Sequence, residues 1–93
     1  MNISLTYTGQ LDEAAGTSGE AIHLDPPATL ATLLSTIAMS HGNKFENLLQ
    51  DSSGALRPTV LVAIDGTQAT GDRETLSLDG VREIVFMTPI AGG

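Results

Sequence analysis

The chain contains no cysteine and no tryptophan, and aromatic residues make up only 3% of it. Without cysteine, disulfides, thiolate metal sites and cysteine nucleophiles are excluded. Positive charge is equally scarce. Lys44, Arg57, Arg73 and Arg82 are set against 11 acidic residues, for a formal net charge of −7. Nucleic-acid phosphates and anionic membrane surfaces both call for a basic footprint, so neither is an expected partner. A basic protein partner would gain association rate from this charge. No apolar run approaches the roughly 18 residues of a membrane span. The opening Met1-Asn2-Ile3-Ser4 lacks the basic and apolar regions of a signal peptide. The expectation is a soluble cytoplasmic protein.

What is present suits one small domain over residues 1–93, an α+β two-layer sandwich. Ile3, Leu5 and Tyr7 alternate with polar neighbours, the period-2 pattern of a half-buried strand. Leu11-Asp12-Glu13-Ala14-Ala15 reads as loop between Gly9 and Gly16. Ile22 and Leu24 suggest a second strand, pairing with the first as a long-looped hairpin and stopped by Pro26-Pro27. Leu30, Leu33, Leu34, Ile37, Ala38 and His41 then fall at helical spacing, with Thr29 placed as N-cap and Gly42 as terminator. A further short helical turn carries Phe45, Leu48 and Leu49. Val60, Val62 and Ile64 predict a third strand that ends at the Asp65-Gly66 turn. Thr67 to Arg73 reads as an exposed excursion. Ile84 and Phe86, alternating with Val85 and Met87, predict a final strand after Asp79-Gly80.

Catalytic constellations are weak. His23 reads as a solvated surface side chain, and His41 as the cationic end of the helix. Asp12-Glu13 and Asp72/Glu74 read as exposed loop charges rather than as an acid–base pair. There is no nucleophile elbow, no phosphate-binding glycine loop with its lysine, and no metal-ligand spacing. The chain is expected to be acted on by an enzyme rather than to be one.

The sequence ends Thr88-Pro89-Ile90-Ala91-Gly92-Gly93. A glycine pair loses the most backbone freedom on ordering, so it does little for stability. It makes sense where an end must thread a narrow passage in another protein. The Gly93 carboxyl is therefore the candidate reactive group, with Gly92 and Ala91 giving clearance and residues 88–93 acting as a flexible tail. A carboxylate is a poor electrophile. An ATP-using partner could activate it as an acyl-adenylate, which a sulfur donor would turn into a thiocarboxylate or an amine would capture as a protein tag.

Taken in order, these segments resemble the ubiquitin-like β-grasp sulfur carriers, and most of all the small subunit of molybdopterin synthase. The resemblance rests on Leu5-Thr6-Tyr7 with Leu11 to Thr17, and on Ala28-Thr29-Leu30 with Leu33-Leu34. It continues through Val60 to Gly66, Leu78-Asp79-Gly80 and Ile84 to Gly93. It implies a mixed sheet with one main helix on one face. It also implies an activating enzyme related to ubiquitin activators, which uses ATP, and no cofactor bound to the chain itself. The remaining implied partners are a sulfur donor and a molybdopterin synthase large subunit into which the tail inserts, delivering sulfur to a cyclic pterin phosphate. Val85, Met87, Pro89 and Ile90 would form the docking patch. The chain departs from the pattern at Asp12 (usually basic), Asp65 (usually asparagine), the longer Val81-Arg82-Glu83, Met87 (usually aromatic) and Thr88 (often proline). A carrier for thiamine or another sulfur-transfer pathway stays open. So do a protein modifier joined through Gly93 and a non-covalent interaction domain.

Overall fold

A computed structural model describes residues 1–89. Strand β1 (Asn2–Thr8) buries Ile3, Leu5 and Tyr7 on one side, as their alternation requires. Strand β2 (Gly19–His23) pairs with it antiparallel, Ile3 opposite Ile22, and forms one edge of the sheet. Between them Leu11–Ala15 forms a short helix, α1, not the expected loop. Five residues are too few to show a helical period. What orders them is the complete burial of Leu11 and the Gly16 terminus, whose N–H donates to Asp12 O at 3.0 Å.

Helix α2 (Leu30–His41) follows the sequence closely. Thr29 caps it reciprocally with Thr32, and Leu30, Leu33, Leu34, Ile37 and Ala38 are buried on one face. The Gly42 N–H donates to Ala38 O at 3.2 Å and closes the helix. The predicted short turn is a seven-residue helix, α3 (Asn43–Leu49), which buries Phe45 and Leu49.

Strand β3 (Leu61–Ile64) turns at Asp65-Gly66 into a two-residue strand, β4 (Thr67–Gln68), and the final strand is β5 (Glu83–Met87). The sheet is five-stranded in the order β2-β1-β5-β3-β4. β1 and β5 run parallel at its centre, with Leu5 beside Ile84 and Tyr7 beside Phe86. The neighbouring pairs β1–β2, β5–β3 and β3–β4 are antiparallel. One face of the sheet meets the helices, giving a mixed-sheet α+β sandwich of the ubiquitin-like β-grasp type.

The Thr67 to Arg73 stretch is tied down rather than extruded. Thr67 and Gln68 pair with Ile64 and Ala63, and Ala69 is buried. The Arg73 guanidinium donates to Val60 O at 2.5 Å and Arg57 O at 3.1 Å, and Glu74 accepts the Leu56 N–H at 3.0 Å. Two strand residues are too short to show alternation, and these partners are distant in sequence, so local pattern does not reveal them.

Asp65 and Gly66 have φ of +48° and +85°, the primed turn that matches strand twist. The Asp65 carboxylate also accepts the N–H groups of Glu83 at 2.9 Å and Arg82 at 3.1 Å, binding the hairpin to the start of β5. Asp65→Ala therefore loses these bonds and places an alanine at positive φ. Urea titration should show a loss of about 2 kcal/mol, roughly half of it from each cause. Asp65→Asn keeps an acceptor and tolerates the turn, so its loss should be under about 1 kcal/mol.

Candidate functional site

The alternation of β5 sorts its side chains onto two faces. Ile84 and Phe86 are fully buried against the helices, while Val85 and Met87 point to the other face and are half-buried. Register adds their neighbours. Val85 lies between Thr6 of β1 and Ala63 of β3, and Met87 between Thr8 and Leu61. Leu61 is 42% exposed, a large apolar side chain without cover. Leu61, Ala63, Val85 and Met87 thus make an apolar strip on the helix-free side of the sheet, and β5 continues from it into Thr88 and Pro89. Leu61 was missing from the docking residues expected from the sequence; its alternation with buried Val60 and Val62 gives its face, and the pairing with Met87 gives its place on the strip.

The structure places Val85 and Met87 together on this strip and Pro89 exposed just past it. Ile90, Ala91, Gly92 and Gly93 lie outside the described residues. Next to Pro89 an open groove of about 410 Å³ is lined by Gln10, Asn47, Leu48, Arg57, Thr59 and Thr88. Its mixed lining holds one cation, whose Nε donates to Asn47 O at 2.7 Å.

The side chains that could have suggested catalysis are accounted for structurally. His23 is exposed, with its ring nitrogens 2.9 Å from Asn2 Oδ1 and 3.2 Å from Asp25 Oδ1. Asp12 Oδ1 accepts the Glu13 N–H at 2.8 Å in the first turn of α1. Glu74 Oε1 accepts the Leu56 N–H at 3.0 Å, a structural bond between a short turn and a loop far apart in sequence. Among the described residues there is no cluster of ligands able to hold a metal, and no helix long and apolar enough to cross a membrane.

One cluster escaped the sequence reading. Glu20 Oε2 accepts the Tyr7 hydroxyl at 2.5 Å and lies 2.5 Å from His41 Nε2. The His41 ring sits against Phe45 at 4.8 Å between centroids and edge-on to Tyr7 at 5.9 Å. The three polar groups join β1, β2 and the end of α2 on the helix-covered face, opposite the strip. Separations of 13 and 21 residues hide such a cluster from any local pattern. Burial alone would raise the Glu20 pKa. The hydrogen bonds from Tyr7 and His41, with the attraction of His41, outweigh burial and hold the carboxyl below its ordinary range. Burial first, and then Glu20, push the Tyr7 hydroxyl well above the ordinary tyrosine range.

This architecture, a mixed five-stranded sheet with a helix layer on one face, is the ubiquitin-like β-grasp fold. The chain belongs to the ThiS family, whose family model matches residues 5–93. Its fold is shared by SAMP1 from Haloferax volcanii, at 22% identity and a TM-score of 0.82 over 100% of both chains. It is also shared by Urm1 from Trypanosoma brucei, at 22% identity and a TM-score of 0.75 over 99% of this chain and 95% of that one. A Pyrococcus furiosus protein provisionally described as molybdopterin converting factor, subunit 1, gives 20% identity and a TM-score of 0.67 over 97% and 99% of the two chains. No curated protein matches the sequence.

The Tyr7–Glu20–His41 cluster contributes to the pH response of stability. A carboxyl with a lowered folded pKa contributes stability above its unfolded value, near 4.5, and loses it as pH falls through the folded value. A tyrosine with a raised folded pKa loses stability as pH climbs past its unfolded value of 10.0. Thermal melts across pH should therefore show an acid limb that Glu20→Gln flattens. They should also show an alkaline limb above pH 10.0 that Tyr7→Phe flattens. Unchanged limbs in both variants would dismiss the cluster as the source.

Proposed function

We propose that the chain is a sulfur carrier whose reactive group is the Gly93 carboxyl, loaded and unloaded by other proteins in molybdopterin biosynthesis. The supporting observation is the continuity between an uncovered apolar strip on β5 and the strand's own run into Thr88-Pro89 and the Gly-Gly end. A partner that docks on the strip receives the terminus without further search. Membership of the ThiS family supports the carrier chemistry, and the molybdopterin branch is proposed on the resemblance of Val60 to Gly66 and Leu78 to Gly93 to the small subunit of molybdopterin synthase.

In the proposed cycle a Gly93 carboxylate oxygen attacks the α-phosphorus of ATP held by a ubiquitin-activator-like enzyme, and pyrophosphate leaves. Sulfur from a persulfide or sulfide donor then attacks the acyl carbon of the adenylate. AMP departs with the bonding electrons. Sulfide gives the thiocarboxylate directly; a persulfide gives an acyl disulfide, which a second thiol of the donor protein cleaves by exchange, releasing the thiocarboxylate and leaving the two donor sulfurs joined as a disulfide. The resulting thiocarboxylate enters a larger synthase subunit and passes its sulfur to a cyclic pterin phosphate. This chain contributes the docking strip and a terminus without side chains, and ATP is bound by the activating partner. Carriers of this kind are generally not catalysts.

A second reading follows from the likeness to SAMP1, which is a small archaeal modifier protein. An amine in place of sulfur would capture the same adenylate and give a protein conjugate.

Mass spectrometry after incubation with an activating enzyme, ATP and a sulfur donor tests the first reading. The expected result is a mass gain equal to the difference between sulfur and oxygen, located at Gly93 and absent when Gly93 is deleted. Isopeptide remnants on lysines without that gain would support the modifier instead. Met87→Asp and Leu61→Asp place a charge in the strip. Each should lower kcat/KM for loading by about tenfold or more with little change in Tm, as expected for a central interface residue.

A further inference from the structure

We propose that Thr88 is a positioning residue, whose hydroxyl is clasped by the Thr8-Gly9-Gln10 turn so that the chain leaves the sheet at one point and in one direction towards Gly93. The proposal rests on the carrier reading above, because it concerns how the terminus is aimed.

The parallel ladder of β1 and β5 ends at the Thr8–Met87 pair. Beyond it the backbone groups of the turn after β1 would have no strand partner. The Thr88 hydroxyl takes that place. It accepts the Gln10 N–H at 2.8 Å and donates to Thr8 O at 3.1 Å, meeting one donor and one acceptor with a single side chain. The Thr8 hydroxyl returns the contact, donating to Phe86 O at 3.2 Å. Three hydrogen bonds thus join residues 8–10 to residues 86–88, across about 78 positions of sequence.

The close approach depends on Gly9. Its φ is +70°, and a Cβ there would overlap the Thr88 hydroxyl and lie 2.5 Å from the Thr88 carbonyl oxygen. Thr88 occupies the position where the resemblance expects proline. Proline has no hydroxyl and could supply neither bond. The chain has therefore replaced ring stiffness with a side-chain clasp.

The short reach of the end makes the clasp matter. Five residues follow Thr88, and fully extended they reach at most about 17 Å. A shift of about 1 Å at the root moves the whole volume that this end can reach by about 1 Å. A misplacement of about 1 Å is enough to cost about 100-fold in a positioned reaction. The strip governs whether a partner binds, and the clasp governs where the carboxyl arrives.

The test uses the full chain with Thr88→Val, which keeps the branched shape without the hydroxyl, and Thr88→Ser, which keeps the hydroxyl. Adenylation by the activating enzyme is followed as ATP–pyrophosphate exchange at a temperature where melts show every variant folded. Thr88→Val should lower kcat by about tenfold or more and leave KM for the carrier within about threefold, because the docking strip is intact. Thr88→Ser should restore most of the loss. By NMR, the Gln10 amide should be protected from exchange in the wild type and in Thr88→Ser, and exchange faster in Thr88→Val. A Thr88→Val protein with an unprotected Gln10 amide and wild-type kcat overturns the positioning role while leaving the carrier reading intact. A rise in KM alone, with kcat unchanged, also overturns it by making Thr88 a docking residue. A wild-type chain that no activating enzyme adenylates removes the carrier reading and the positioning role with it.

Discussion

The parallel pairing of β1 with β5 is the constraint on which the other features rest. It brings the start of the chain beside its end at the middle of the sheet and sets Tyr7 next to Phe86 under the helices. The same register turns Thr6, Thr8, Val85 and Met87 to the opposite face. Strand pleating permits no other division, since a one-residue slip would bury Val85 and Met87 and expose Ile84 and Phe86. A hydrophobic core and an apolar docking strip are thus two consequences of one register.

The two faces have different tasks. On the helix side, aliphatic residues of α2 and α3 complete the core, and Glu20 ties Tyr7 to His41 so that the end of α2 is fastened to the edge of the sheet. On the bare side, the cost of leaving Leu61 and Met87 uncovered is tolerated by a small domain with a well-filled core. The chemistry proposed for Gly93 needs nothing catalytic from either face. It needs a rigid body that a partner can recognise and an end without side chains beyond it. The anchored root at Thr88 joins these requirements mechanically.

Much of this was legible from local pattern. Helix α2 carries twelve residues of consistent period between a threonine cap and a glycine stop, enough signal to outweigh competing conformations. β1 and β5 show clean alternation for the same reason. α1 and β4, at five and two residues, fall below the length at which periodicity is visible, and burial of Leu11 and pairing with β3 decide them. Arg73 looked like a loop cation because its partners, the carbonyls of Arg57 and Val60, are brought to it only by folding.

Composition and order by themselves determined the α+β class, the main helix, the two faces of β5 and the prominence of the Gly-Gly end, because each is written in adjacent residues. The tertiary structure alone decided that Leu61 lies beside Met87 in register, that Glu20 meets Tyr7 and His41, and that Thr88 is held by Thr8 and Gln10 across the close approach of Gly9. Each of these depends on residues far apart in the chain whose distance is set by strand register. Register is a property of the whole folded sheet, so a single strand read in isolation does not contain it.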